Sequence, residues 1–192
     1  MIDIEVMIKP LTADLINDFL NFFDNIGFTD NPDWSKCYCY FHHCPGGPKV
    51  FRNQTKDENR AASIHLIESG ILNGFLAFSN DKPVGWSNAD SKESYLYLPV
   101  EKEAEDPDEG KIASIVCFLI APAYRKQGIA RKILKEICSS FKSREFKWIE
   151  AYPRKNVSSN AHNYHGPYSL YNSAGFTVFK EFESMYIMRK ML

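Results

Sequence analysis

The spacing of apolar residues changes several times along the chain, and each change predicts an element. Residues 5–9 read as a short strand that Pro10 stops. After Thr12, a residue able to cap a helix, Leu15, Ile16, Phe19, Leu20 and Phe23 recur at helical spacing. Ala61, Ile64 and Ile67 mark a second helix over about 57–69. Residues 72–78 and 84–88 are strands joined through Asn80-Asp81-Lys82-Pro83, which is a hairpin. Residues 112–120 form a nearly continuous apolar run with β-branched members, the pattern of a central strand buried on both faces. From Gly128 the period is helical again, with Ile129, Ile133, Leu134, Ile137, Cys138 and Phe141 on one stripe. A strand over 146–151, a short helix over 168–174 closed by Gly175, and two alternating strands over 176–182 and 185–189 complete the chain. This order predicts an α/β fold, a mixed sheet covered by helices.

Composition narrows the picture. The 192 residues suit one domain spanning 1–192. Hydrophobic residues at 44% and charged residues at 24% are ordinary for a globular protein. A net charge of -1 argues against bulk attraction to nucleic acid or an anionic membrane. No apolar run reaches the roughly 18 residues of a membrane span, and the acidic N-terminus lacks a signal-peptide pattern, so the expected location is the cytoplasm. Five cysteines, an odd number, fit reduced thiols. The six acidic residues of 101–109 read as a solvated loop.

The sharpest local feature is Arg125-Lys126-Gln127-Gly128-Ile129-Ala130, between the buried strand and the amphipathic helix. The first N–H groups of a helix lack internal partners, and the helix dipole puts partial positive charge there. Gly128 and Ala130 allow close approach of an anion, and Arg125, Lys126 and Arg131 add charge, so the turn suits a pyrophosphate. Together with the strand Val116-Cys117-Phe118-Leu119-Ile120, this segment resembles the coenzyme A motif of GNAT acetyltransferases. Leu170-Tyr171-Asn172-Ser173-Ala174-Gly175-Phe176 resembles that family's C-terminal signature.

The resemblance implies a mostly antiparallel mixed sheet of six to seven strands with a splayed central strand. It implies acetyl-CoA as acyl donor, pantetheine contacts at Phe118 and Ile120 with Leu119 between them, and a pyrophosphate on Lys126, Gln127, Gly128, Ile129, Ala130 and Arg131 beside Arg125. Asn160 or Asn163 stands where the family often has a cofactor-binding asparagine. Glu150 matches the place of a catalytic Glu in some members and is the general-base candidate; Tyr171 is the general-acid candidate, His162 and His165 weaker ones. The acceptor would be a small-molecule or protein amine, and a homodimer remains open.

The segment 27–53 reads as an insertion loop, given Pro32, Pro45, Gly46, Gly47 and Pro48. Cys37, Cys39, Cys44, His42 and His43 raise the thought of zinc, but a single residue between Cys37 and Cys39 is too short for the usual ligand pair, and no second pair follows. In GNAT proteins this region walls the acceptor site, so Trp34, Tyr38, Tyr40 and Phe41 are candidates for an apolar acceptor pocket. A non-catalytic acyl-CoA sensor of the same fold stays as the alternative to an enzyme. A nucleotide-binding protein is disfavoured because neither Gly-x-Gly-x-x-Gly nor Gly-Lys-Ser/Thr occurs.

Overall fold

The computed structural model describes residues 5–99, 111–157, 159 and 161–192. The acidic run 101–109 lies outside the described residues, as does Asn160. Seven strands form one sheet in the order β1-β2-β3-β4-β5-β7-β6. They are β1 Met7–Pro10, β2 Phe75–Ser79, β3 Lys82–Ser91, β4 Ile112–Ile120, β5 Trp148–Ala151, β6 Thr177–Glu181 and β7 Tyr186–Met191. All neighbours are antiparallel except β4 and β5. The mixed, mostly antiparallel sheet is the expected one.

Helices cover both faces, which is why the inner strands read as continuous apolar runs rather than alternating ones. On one side α1 (Ile16–Asn21) and α3 (Lys56–Glu68) enclose Phe19, Phe22, Phe23, Ile67, Leu76 and Trp86. Trp86 is fully buried, meets the edge of Phe19 at 5.0 Å and donates its indole N–H to Cys39 Sγ at 3.0 Å. On the other side the stripe of α4 (Ile129–Ser143) buries Ile133, Leu134, Ile137 and Phe141 against Ala77, Val84, Ile115 and Ile149. Helix α3 starts a residue before its apolar pattern because Thr55 and Glu58 form a reciprocal capping box.

Two departures matter for function. Helix α1 does not run on as a regular helix but widens into a π turn over Phe22–Ile26, closed by Gly27 N–H on Phe22 O. A Cβ at Gly27 would sit 3.0 Å from Leu119, so glycine lets this turn lie directly over β4. The insertion 27–53 is also more ordered than its breakers suggest. Two 3₁₀ turns, Pro32–Cys37 and Tyr40–His43, flank Tyr38 and Cys39 in left-handed conformation, and α2 spans Gly47–Asn53. Pro48 lies in its first turn, where a missing N–H costs nothing.

The buried polar groups include an ion-pair network and three imidazoles. Glu150 on β5 faces Arg189 on β7 in direct register, with Arg189 Nη2 2.5 Å and Nε 3.1 Å from Oε1. Its Oε2 is 3.0 Å from Lys92 Nζ and accepts from the Tyr152 hydroxyl at 3.0 Å. Three imidazoles, His42, His43 and His165, are also enclosed, and burial lowers them to about 4, about 4 and about 3.

Replacing one partner of a buried ion pair strands the other, at a cost of about 3–5 kcal/mol. Glu150→Gln should therefore lower stability by about that amount in urea denaturation, and the double change Glu150→Leu with Arg189→Met should recover most of it; a single variant as stable as the parent contradicts the network. The histidines set a pH window. Each is near 6.5 when unfolded and lower when folded, so their contribution is complete above about 6.5 and is lost as pH falls toward 4. The urea midpoint should fall across that window, and a flat midpoint from pH 7 to 4.5 would show that the rings are not held neutral.

Candidate active site

Strand β4 has nine residues, but β5 pairs only with its first four, Ile112 to Ile115. Beyond Ile115 the two strands diverge. Along β3, Ala121 N–H bonds to Val84 O, and strand alternation then turns the polar groups of Phe118 and Ile120 away from β3, into the gap. The splay expected from the sequence is thus present, with one change. The segment leading to α5 (Tyr168–Ser173) enters the gap, where Phe118 N–H donates to Tyr164 O at 2.6 Å and His165 Nδ1–H donates to Val116 O at 2.7 Å. The Phe118 amide expected to meet pantetheine is occupied, and the open part of the gap begins at Ile120.

From there a groove of about 660 Å³ runs to the start of α4. Phe118, Leu119, Ile120, Arg125, Lys126, Gly128, Ile129, Ala130 and Arg131 line it. Gln127 does not; its side-chain amide folds back to donate to Ala123 O at 2.9 Å. Gly128 is the residue before α4, with φ +81° and no side-chain cap at the helix start. The first intrahelical bond is Lys132 N–H to Gly128 O, which leaves the N–H groups of Ile129, Ala130 and Arg131 at the groove end. A Cβ at Gly128 would meet nothing within 4 Å, so its space is open for an anion to approach. Arg125 serves differently from the expectation of a phosphate cation. Its guanidinium pairs with Asp30, and its Nε–H donates to Ile120 O at 3.0 Å, so it ties the acceptor loop to the end of β4. Of the two candidate asparagines, Asn163 lines the groove, and Asn160 lies outside the described residues.

A second cavity, about 370 Å³, lies on the other side of β4 and shares Phe118, Leu119 and Arg125 with the groove. Of the expected acceptor residues, Trp34 and Phe41 line it. Tyr38 and Tyr40 do not. Tyr38 is fully buried, stacks on Phe23 at 5.5 Å and bonds through its hydroxyl to Asp24; Tyr40 is also buried in the protein. Their left-handed neighbour geometry turns the side chains inward, and Cys37, Cys39 and His42 take the wall instead, with Phe23, Phe28 and Phe51. Cys117 on β4 faces the same cavity. The enclosed setting pushes the Cys37 thiol up to about 12, so it is a thiol rather than a thiolate at neutral pH.

Neither expected catalytic residue reaches a cavity wall. Both Glu150 oxygens are taken up by Arg189, Lys92 and Tyr152 inside the sheet, and Glu150 has no exposed surface. Tyr171 is fully buried beside Phe118 and donates its hydroxyl to His165 O at 2.5 Å. A Cβ at Gly166 would sit 2.7 Å from that oxygen, so Tyr171 braces the turn that fills the splay. His162 is exposed, with Nδ1 2.7 Å from Ser159 Oγ.

His42, which the sequence raised only in connection with zinc, is placed in a different setting. It lines the acceptor cavity, and its Nδ1 lies 2.7 Å from Tyr97 O. A carbonyl can only accept, so Nδ1 holds the hydrogen and Nε2 is the basic nitrogen. Burial keeps the ring neutral. No sequence pattern marks this role, because Tyr97 is 55 residues away.

The comparisons with known proteins agree with this geometry. The model of the acetyltransferase (GNAT) family matches residues 33–166, more than half of the chain. No curated protein matches the sequence. Among solved structures, the chain is similar to the paia N-acetyltransferase of Thermoplasma acidophilum in complex with coenzyme A, at 13% identity over 98% of this chain and 100% of that one, with a TM-score of 0.57. It is similar to the GNAT domain of S. lividans PAT at 16% identity over 97% and 90% of the two chains, TM-score 0.57. It is also similar to yncA, a putative acetyltransferase from Salmonella typhimurium with acetyl-CoA, at 14% identity over 97% and 94%, TM-score 0.52. At these identities the likeness is one of fold. The family match, the seven-stranded sheet and the diverging fourth strand together show that this chain belongs to the GNAT acetyltransferase family.

Proposed function

We propose that this chain transfers an acetyl group from acetyl-CoA directly to a primary amine. The observation that carries the reading is the meeting of two cavities at one strand: the groove ending on the N-terminus of α4 and the cavity under the insertion share Phe118 and Leu119. A donor lying along the groove would present its thioester where the acceptor cavity opens, which is the proximity that direct transfer needs. The groove fits the donor. It has helix N–H groups for pyrophosphate, with Lys126 and Arg131 beside them.

Transfer then requires a neutral amine, donors for the developing oxyanion and a tolerable leaving group. His42 Nε2 is the base that takes the amine proton as the C–N bond forms. The Ile120 N–H, unpaired with β3, is the strand donor nearest the junction and takes oxyanion charge. A thiolate with conjugate pKa near 8.5 leaves without obligatory protonation, which agrees with the Tyr171 hydroxyl being bonded to His165 O. No cysteine intermediate is needed, and the raised Cys37 thiol is a poor nucleophile.

Binding, substitution and pH measurements test this reading. Calorimetric titration should show acetyl-CoA binding in the micromolar range with ATP silent, and Gly128→Ala should weaken acetyl-CoA by about tenfold or more while the fold survives at a cost of about 1–2 kcal/mol. His42→Gln should lower kcat by about 10²–10⁴ with acetyl-CoA affinity unchanged. In the parent enzyme kcat/KM should rise with pH along the acceptor's own ammonium titration, without a break near 6.5, because His42 is neutral down to about 4. Tyr171→Phe should raise KM for acetyl-CoA more than it lowers kcat. Binding of acetyl-CoA without turnover of any amine would point to the sensor alternative.

A further inference from the structure

Two cavity groups remain beyond those used so far: Arg154 and Lys36. Arg154 leaves β5 just after Pro153, held in place by a bridge to Met185. Its guanidinium lies over the Tyr164 ring, 5.1 Å from the centroid, and its Nη2 donates to the Tyr164 hydroxyl at 3.0 Å. Its Nε is buried and has no hydrogen-bond partner, and among the described residues no carboxylate pairs with it. Burying part of a guanidinium this way carries a cost that an anionic partner would offset.

Among the described residues the charges lining the cavity are unequal. The carboxylates are Asp30, which pairs with Arg125, and Asp33, which stands at the exposed rim. The cations are Arg125, Lys36 and Arg154. With Asp30 and Arg125 cancelling, Lys36 and Arg154 outnumber Asp33. Most of the remaining wall is aromatic or thiol, with Trp34, Phe41, Phe51, Cys37 and Cys39 among its members, beside Leu119, Asn31 and His42. A cage for a simple cationic amine would show the opposite balance. Arginine's planar fork matches a carboxylate in two parallel bonds, and here Tyr164 already fixes the plane of that fork.

We infer that the acceptor of this enzyme is a small apolar primary amine bearing a carboxylate, of the kind found in hydrophobic amino acids, and that Arg154 anchors that carboxylate. This rests on the acetyl-transfer reading of the same site. The cavity, about 370 Å³, is near the small end for ligand sites and suits a single amino acid rather than a folded protein surface. Arg154 reads the acceptor and Lys36 adds field at the same wall; the amine is then directed toward the junction with the groove.

Matched acceptor pairs test the inference: L-phenylalanine against 2-phenylethylamine, and L-leucine against 3-methylbutylamine, followed by release of coenzyme A thiol. The carboxylate member should be preferred by about ten- to a hundredfold in kcat/KM. Arg154→Gln should remove the preference by raising the acceptor KM, with kcat for the carboxylate-free amine and acetyl-CoA affinity unchanged. Arg154→Lys should retain part of it, which separates charge recognition from damage to the fold. Carboxylate-free amines used equally well by the parent enzyme overturn the inference. A second readout does not depend on turnover: calorimetric binding of N-acetyl-L-phenylalanine and of its amide. If the acid binds the parent and not Arg154→Gln while no amine is acetylated, the anion site stands and the acetyl-transfer reading fails. If the acid and the amide bind alike, or neither binds, the anion site is wrong whatever the enzyme acetylates.

Discussion

The central constraint in this structure is a nine-residue strand that finds a partner for only four of its residues on one side. Backbone N–H and C=O groups inside a protein must be bonded to something. The far half of β4 cannot bond to β5, so it bonds to what lies in the gap: Tyr164 and His165 near its middle and Arg125 at its end. What is left open at Ile120 borders the groove. The splay therefore produces the groove and explains why the loop before α5 has to enter the sheet.

Each face of β4 then takes a separate task. Phe118 and Ile120 belong to the side packed by α4, where a helix start offers N–H groups to an anion. Cys117 and Leu119 belong to the side under the insertion, where aromatic rings and thiols line a pocket. Alternation of side chains along one strand is enough to place the two cavities back to back. Gly27 and Arg125 hold the insertion against that strand, one by lacking a side chain and the other by pairing with Asp30.

Buried polar groups divide in the same way. The Glu150, Arg189 and Lys92 network lies inside the sheet between β5 and β7 and braces it, away from both cavities. His42, with its tautomer set by Tyr97 O, borders the acceptor cavity. A carboxylate on the strand after the cofactor helix looked like the natural base; its register opposite Arg189 is what removes it from that role.

Much was legible before any coordinates. The apolar periods located the central strand, the helix after Gly128 and the closing strands to within a few residues, because burial on two faces or one stripe leaves a direct imprint on residue order. The turn at 125–131 was legible too, since its parts are local: strand, glycine and helix are adjacent in the chain. What the sequence could not reveal was pairing across distance. Tyr38 and Trp34 look alike in a loop of aromatics, yet left-handed backbone at Tyr38 and Cys39 turns one side chain into the core, while the other meets Tyr164 across the splay. Glu150, His42 and Arg154 each acquired a role from a partner 39, 55 and 10 residues away. Local order determined the family, the sheet and the cofactor turn; the tertiary structure alone decided which charges are neutralised and which face a cavity, because those depend on register and loop packing that no short-range pattern encodes.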